Sequence, residues 1–313
     1  MDKQIILLDG NNTAHRALAT LMLTNPRGED VSVIYGVLKM VQSMLKQFDP
    51  QLFIVCWDHK GGSDFRNQLY PAYKAKEYKD EKEEQESQRR RAELYRQMDL
   101  LHKNLYHFGI EQVRIPGVEA DDIMYKLATT FAESGHTVNI ISSDKDLWQL
   151  VDEEGLIRCF NPIKGQWIHS KNFEQVAGVR MDQYLDYKVL QGDSSDNIPG
   201  IRGWGEVTTQ KYLQQYGSVT GIFQALKQQS SLKVIEQRLL DSQSQLDLNY
   251  GLMDLKNVDT VVPDLMDKIQ EAMTNGQAEF NPKLAKAFCQ SQAFVSLLTD
   301  PSWWIPFANL GVA

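Results

Sequence analysis

The chain has 313 residues, 42% of them hydrophobic and 24% charged, as in an ordinary globular protein with material for about two domains. No apolar run approaches the ~20 residues that span a bilayer, and three widely separated cysteines, Cys56, Cys159 and Cys289, argue against a disulfide framework or a CxxC metal site. The N-terminus shows no secretory pattern, so a reducing cytoplasm is the expected compartment. The formal charge of −8 disfavours a polyanion-binding protein unless the acidity is concentrated in one place.

Three short apolar runs read as buried strands, and each leads to an aspartate. Ile5–Leu8 ends in Asp9, Leu52–Trp57 ends in Asp58, and Val138–Ile141 leads through two serines to Asp144. Helical periodicity lies between them. Val31, Ile34, Val37, Leu38, Val41, Met44, Leu45 and Phe48 follow the spacing of one helix face, and Pro50 stops it. A second helix is expected from Ala120 to Ser134, with Gly135 just past its end. Strand and helix in alternation predict an α/β fold with a parallel sheet, whose strand C-terminal ends form the ligand crevice.

Phe65–Lys103 is dense in both signs of charge, and its centre, Ala75–Arg91, has almost nothing apolar to bury. Such a segment is a solvated helix, a mobile loop, or both. After Gln166-Trp167-Ile168 the pattern turns helical, with helices expected at Met181–Leu190 and Val207–Tyr216. The last ~50 residues show no chemical motif, and no internal repeat is evident.

Acidic clusters carry the chemistry: Asp9; Asp58; Glu119, Asp121 and Asp122; Asp144 and Asp146; Asp193 and Asp196. Taken singly, each is more readily a turn or a helix cap than a functional group. Together they would crowd one sheet edge, where like charges repel unless cations are present. Oxygen ligands with no His or Cys nearby favour Mg²⁺ or Mn²⁺ over zinc. The carboxylates outnumber the needs of one ion, so two are expected, as suits displacement at phosphorus by a phosphodiesterase or phosphatase. The six histidines form no ligand spacing, and no GxxxxGK[ST] loop is present. The segment Gly200–Gly205 lies between helices, so it is read as a backbone phosphate grip and not as a dinucleotide fingerprint; the alternative is a plain interhelical turn. Thr208, Thr209 and Lys211 would add donors and a cation, which makes nucleic acid the natural substrate.

In order and spacing, Leu8-Asp9-Gly10, Trp57-Asp58, Phe65-Arg66, Tyr73-Lys74, Gly117–Asp122, Ser143–Leu147 and Gly192–Gly200 resemble the 5′-nuclease (flap endonuclease) family. Its members include the N-terminal domain of bacterial DNA polymerase I and free-standing bacteriophage 5′–3′ exonucleases. The resemblance covers roughly residues 4–260. It implies a PIN-like nuclease domain (residues 1–180) with a helical arch at about 71–103, a helix-three-turn-helix module (181–260) that binds duplex, and a segment 261–313 without an assigned role.

By the same resemblance, Asp9, Asp58, Glu119, Asp121 and Asp122 would build one metal site, and Asp144, Asp146, Asp193 and Asp196 a second. Lys74 would be the catalytic cation at the scissile phosphate, acting with Asp58, Asp121 and Asp144. Arg66, Tyr73 and Lys76 would help hold the substrate, and Gly203, Gly205, Thr208, Thr209 and Lys211 would hold the duplex. A K⁺ ion is implied at Gly200–Thr208. The implied substrate is DNA with 5′ flaps or free 5′ ends, and RNA primers paired to DNA, cut by a monomer to leave 5′-phosphate and 3′-hydroxyl. Two positions depart from family patterns: Glu77 stands where several phage members carry Arg, and Val207 where polymerase-type members often carry Lys. Competing readings are a PIN-type ribonuclease and a structure-specific DNA-binding protein without catalysis.

Overall fold

The computed structural model describes residues 4–75 and 78–311. Strands β1 (Gln4–Asp9), β2 (Leu52–Trp57), β3 (Glu111–Arg114), β4 (Thr137–Ile141), β5 (Ile157–Asn161) and β6 (Gln166–Ile168) form a six-stranded sheet in the order β3-β2-β1-β4-β5-β6. The first five run parallel, and β6 returns antiparallel to β5. Because β1 is central and pairs Asp9 with Cys56 and Leu8 with Ile141, the residues leaving β1, β2 and β4 emerge side by side.

Alternation along the strands divides the core. Ile5, Leu7, Ile54, Cys56, Val138 and Ile140 face one layer, while Ile6, Leu8, Phe53, Val55, Trp57 and Ile141 face the other. Helices α1 (Gly10–Thr20) and α2 (Ser32–Phe48) cover the second face. α1 packs so tightly on β2 that a side-chain carbon at Gly10 would come within 2.4 Å of the Trp57 ring, so only glycine fits there. α2 ends at Asp49, in the left-handed region, just before Pro50, as its periodicity predicted.

After α3 (Asp64–Leu69), the charged segment forms one long helix, α4 (Glu81–Asn104). Asp80 caps it by accepting the Glu83 amide at 2.8 Å. Its C-terminal half buries Leu94, Met98 and Leu101 against α2. Its N-terminal half is solvated and carries same-face pairs such as Glu86–Arg90 and Glu84–Gln88, each contributing a few tenths of a kcal/mol. Over Glu81–Arg91 the segment is thus a solvated helix, and from Leu94 onward the same helix is anchored in the core. Lys76 and Glu77 lie outside the described residues.

α5 (Ala120–Glu133) covers the other sheet face and ends at Gly135 in the left-handed region. Beyond α6 (Phe173–Ala177) comes the helical module: α7 (Tyr184–Gln191), a short hairpin of β7 (Gly192–Asp193) and β8 (Ile198–Pro199), then α8 (Glu206–Tyr216), α9 (Val219–Lys227), α10 (Val234–Asp241) and α11 (Gln243–Met253). Leu190, Ile198, Trp204, Leu213 and Leu246 of this module are continuous with the apolar layer under α5.

The motif-free C-terminal segment packs back on the sheet domain. Leu265 and Ile269 of the helix Leu265–Gly276 join the α5 layer. Phe288, Trp303, Trp304 and Phe307 surround Phe108 with ring centroids 5.3–6.4 Å away, closing the α2–α4 layer. Among the described residues, no helix is long and apolar enough to cross a membrane.

Candidate active site

The ends of β1, β2 and β4 deliver Asp9, Asp58 and Asp144 to one edge. Asp9 caps α1 by accepting the Asn12 amide at 2.9 Å and accepts the Ser142 hydroxyl at 2.8 Å. Burial, with the nearby Asp58 and Asp144 charges, pushes its carboxyl up to about 7 against those two bonds. Asp58 accepts the Asn11 amide group at 2.7 Å and the Ala120 N–H at 2.8 Å, so it caps α5 from a distant strand. Burial raises its carboxyl too, although Lys74 and the Ala120 amide oppose the shift. Asp121, in the first turn of α5, lies well above the carboxylate range because of burial and then Asp144 and Asp9. Asp144 is likewise raised by burial.

The hairpin β7–β8 carries Asp193 and Asp196 across from the helical module to meet Asp146, which follows β4. Asp193 and Asp146 are bridged by Lys188 of α7, whose ammonium lies 2.8 and 2.7 Å from them. Although burial opposes it, Lys188 with Ser195 brings Asp193 down to about 2. Asp146, more deeply buried, stays raised by desolvation. Asp196 is pushed to about 6, chiefly by burial.

Lys74 points into this cluster, 2.8 Å from Glu119 and 3.8 Å from Asp196. Burial would discharge it, but Glu119, Asp196 and Asp58 hold it protonated. Glu119 also accepts the Tyr73 hydroxyl at 3.0 Å and Arg66 at 3.1 Å. Against the effect of burial, Lys74 and Arg66 keep Glu119 below its usual range.

Four sequence expectations need correcting. Asp122 is not an available metal ligand: it is 0% exposed, and both its oxygens are taken by Arg66 at 2.7 and 2.8 Å. Arg66 is correspondingly not a DNA contact; at 3% exposure it also donates to the Leu252 carbonyl, locking α3 to α5 and α11. Tyr73 is buried, and its hydroxyl donates toward the Glu119 and Asp196 carboxylates, so it faces the carboxylate cluster and not the surface. Thr209 is fully buried, and its hydroxyl donates to the Trp204 carbonyl at 2.9 Å, which stabilises the turn and leaves nothing for a phosphate. Gly203, Gly205 and Lys211 are exposed, and Thr208 is half-exposed at the start of α8. Lys76 falls outside the described residues.

Sequence reasoning missed Lys188 and the polar brackets Asn11, Asn12, Ser142 and Ser143. Asn12 accepts the Ser143 hydroxyl at 2.8 Å and ties the β1 and β4 loops together. A faint signal for Lys188 was present: it is the one cation in Tyr184–Gln191, just before the acidic hairpin.

As folded, no three of these carboxylates among the described residues close into ligand geometry; Lys74, Lys188 and Arg66 supply the positive charge. The donor set nevertheless suits a hard cation. It is all oxygen, and burial holds Asp9, Asp58, Asp121, Asp144, Asp146 and Asp196 raised, several of them also through one another, a penalty that a divalent ion would relieve.

Residues 4–181 match the family model of the 5′–3′ exonuclease N-terminal resolvase-like domain, and residues 179–285 match that of the 5′–3′ exonuclease C-terminal SAM fold. A 5′–3′ exonuclease of Aquifex aeolicus is 32% identical over 278 residues, covering 86% of this chain and 92% of its own length. The thermostable DNA polymerase I of Thermus aquaticus is 33% identical over 303 residues, covering 95% of this chain and 33% of its own. The chain thus spans only about a quarter to a third of the polymerases it matches. Among solved structures, the T5 D15 protein co-crystallized with metal ions aligns with a TM-score of 0.70 at 21% identity, covering 90% of this chain and all of that one. The catalytic core of Rad2 in complex with DNA substrate aligns at 0.56 and 13% identity, covering 98% and 93%. These two likenesses concern the fold: a parallel-sheet α/β domain joined to a helical module. With both family models matched in order across most of its length, the chain belongs to the 5′–3′ exonuclease family.

Proposed function

We propose that this protein is a divalent-metal-dependent 5′-nuclease that hydrolyses phosphodiester bonds at free 5′ ends and flap junctions of DNA, and at RNA primers paired to DNA. The observation that carries this reading is the placement of Lys74. A cation from the root of the arch enters a carboxylate cluster shared by the sheet edge and the hairpin β7–β8, and that hairpin runs directly into the exposed glycine turn before α8. The acids of the hairpin and the proposed phosphate grip are therefore parts of one continuous stretch of chain, residues 192–205.

Asp9, Asp58, Glu119 and Asp121 would hold one Mg²⁺, with Mn²⁺ as a substitute, and Asp144, Asp146, Asp193 and Asp196 a second. Bound there, the ions supply an acidified water and positive charge at the leaving oxygen. Lys74 stays charged and places its ammonium where negative charge grows on the phosphoryl oxygens, which favours the transition state over the ground state. Lys188 holds Asp146 and Asp193 at a set separation. The backbone amides around Gly203–Gly205, with Thr208 and Lys211, would hold duplex phosphates without reading bases, with a K⁺ ion at the same turn. In this reading residues 1–180 form the nuclease domain and 181–260 the duplex-binding module, acting as a monomer.

A 5′-labelled flap duplex incubated with the protein in Mg²⁺ and in EDTA tests the proposal. Cleavage near the junction in Mg²⁺ alone is expected. Tight binding without cleavage would replace this reading with that of a DNA-binding protein.

A further inference from the structure

Five non-glycine residues among those described have positive φ: Asp49, Lys74, Asn197, Gln277 and Ala293. Asp49 and Gln277 cap helix C-termini, and Ala293 directly follows the C-cap of Pro282–Ser291; these are ordinary places for left-handed backbone. Lys74 and Asn197 end no helix. They lie on either side of one junction, where the root of the arch meets the tip of the hairpin β7–β8. Both sit in tight turns, closed by the Ala75 N–H on the Ala72 carbonyl at 3.1 Å and by the Asn197 N–H on the Ser194 carbonyl at 3.4 Å, and asparagine suits the left-handed place in the second.

The junction is joined by reciprocal bonds. The Asn197 side-chain amide donates to the Ala72 carbonyl at 2.9 Å, and the Lys74 backbone N–H donates to the Asp196 carbonyl at 2.9 Å. Asn197 is exposed, so its side chain contributes no core packing. The hairpin it belongs to is firmly seated. The Asn249 amide, fully buried, donates to both the Val189 and Pro199 carbonyls at 2.9 Å, and Ile201 N–H donates to Leu190 at 2.8 Å. At Gly200 a side-chain carbon would lie 1.9 Å from the Gln191 carbonyl oxygen, so only glycine allows this close approach of the strap from β8 to α8 to the end of α7.

We infer that Asn197 is a positioning residue for cleavage: by clamping the arch root at Ala72, it holds the Lys74 backbone in its left-handed turn and aims the ammonium into the carboxylate cluster. The same strap continues within six residues into Gly203. A duplex seated on the glycine turn is thereby held at a set offset from Lys74, whereas a free lysine side chain would sample many rotamers. This inference rests on the reading of Lys74 as the cation at the scissile phosphate.

Two variants separate backbone from side chain. Asn197→Gly keeps the left-handed turn but removes the amide, and Asn197→Asp keeps the side-chain size but sets an acceptor against the Ala72 carbonyl. Each should slow single-turnover cleavage of a flap duplex on the order of 10-fold, the scale of a misplaced reacting group, with Kd for the same duplex within about twofold of wild type. The double variant Lys74→Ala/Asn197→Gly should be no slower than Lys74→Ala, because the clamp acts only through that lysine. Wild-type cleavage by Asn197→Gly, or a double variant carrying the product of both defects, overturns the inference while leaving the proposed function in place. Wild-type cleavage by Lys74→Ala overturns the parent reading of the lysine as well, which distinguishes the two failures.

Discussion

Arg66 and Asp122 form a buried, two-pronged ion pair, with contacts of 2.7 and 2.8 Å, between residues 56 positions apart. The third Arg66 nitrogen group reaches a main-chain carbonyl in α11, so the pair rivets the sheet domain to the helical module behind the carboxylate cluster. Breaking such a pair from one side leaves an uncompensated buried charge, at a cost of about 3–5 kcal/mol. Asp122→Asn and Arg66→Ala should therefore lower the unfolding free energy by that amount in denaturant titrations. Unchanged stability with a weakened affinity for DNA would return Arg66 to the substrate surface.

The cluster itself works against stability. Carboxyls raised in the folded state, Asp196 to about 6 and Asp9 to about 7 from an ordinary 3.8, stabilise the fold when protonated, and that contribution is lost as pH rises through those values. In EDTA, Asp121→Asn should thus raise Tm at about pH 8, with the gain shrinking as the pH falls and the native carboxyl becomes protonated; in Mg²⁺ the same variant should nearly abolish cleavage. Added Mg²⁺ should raise wild-type Tm more at about pH 8 than at about pH 5.5, because binding requires ionised ligands. Calorimetric scans at the two pH values check both statements; a Tm that falls on Asp121→Asn at high pH counts against the repulsion account.

Lys74→Ala should reduce turnover on the order of 10²-fold or more, as for one preorganised electrostatic donor, with a much smaller change in duplex affinity. If the arch encloses the 5′ strand, a bulky 5′ block added before binding should inhibit flap cleavage, and the same block added afterwards should inhibit far less. Equal cleavage in both orders would leave α4 as a solvated helix with no gating part.

The two neighbours Thr208 and Lys211 should behave unlike Thr209. Lys211→Ala should weaken binding to unrelated duplexes about equally and lower the salt slope by roughly one unit. Thr209→Val should leave affinity and salt slope unchanged but destabilise the protein by about 1 kcal/mol or more, since it removes a buried hydrogen bond to the Trp204 carbonyl. Salt titrations of both variants, paired with melts, decide between them.

Much of the frame was legible in the linear chain because its signals are local. Apolar runs ending in Asp9, Asp58 and just before Asp144, the periodicity of α2 and α5, and the glycine turn before α8 each report on a few consecutive residues, and together they placed the carboxylates on one edge. The arch helix was half legible, since solvated same-face pairs at Glu81–Arg91 look alike in a helix and in a loop until the apolar half from Leu94 anchors them. The short strands β3, β5 and β6 left no signal above their surroundings, and neither did the aromatic packing of Trp303, Trp304 and Phe307 on Phe108. What only the tertiary structure decided is pairing. Periodicity tells which face is buried but not what is buried against it, so the sequence alone could not separate Asp122, consumed by Arg66, from Asp121 beside it, which remains raised among like charges. Nor could it show Lys188 bridging Asp146 and Asp193, or Thr209 turned inward while Thr208 stays half-exposed, because each of those outcomes depends on the three-dimensional arrangement of the side chains around them.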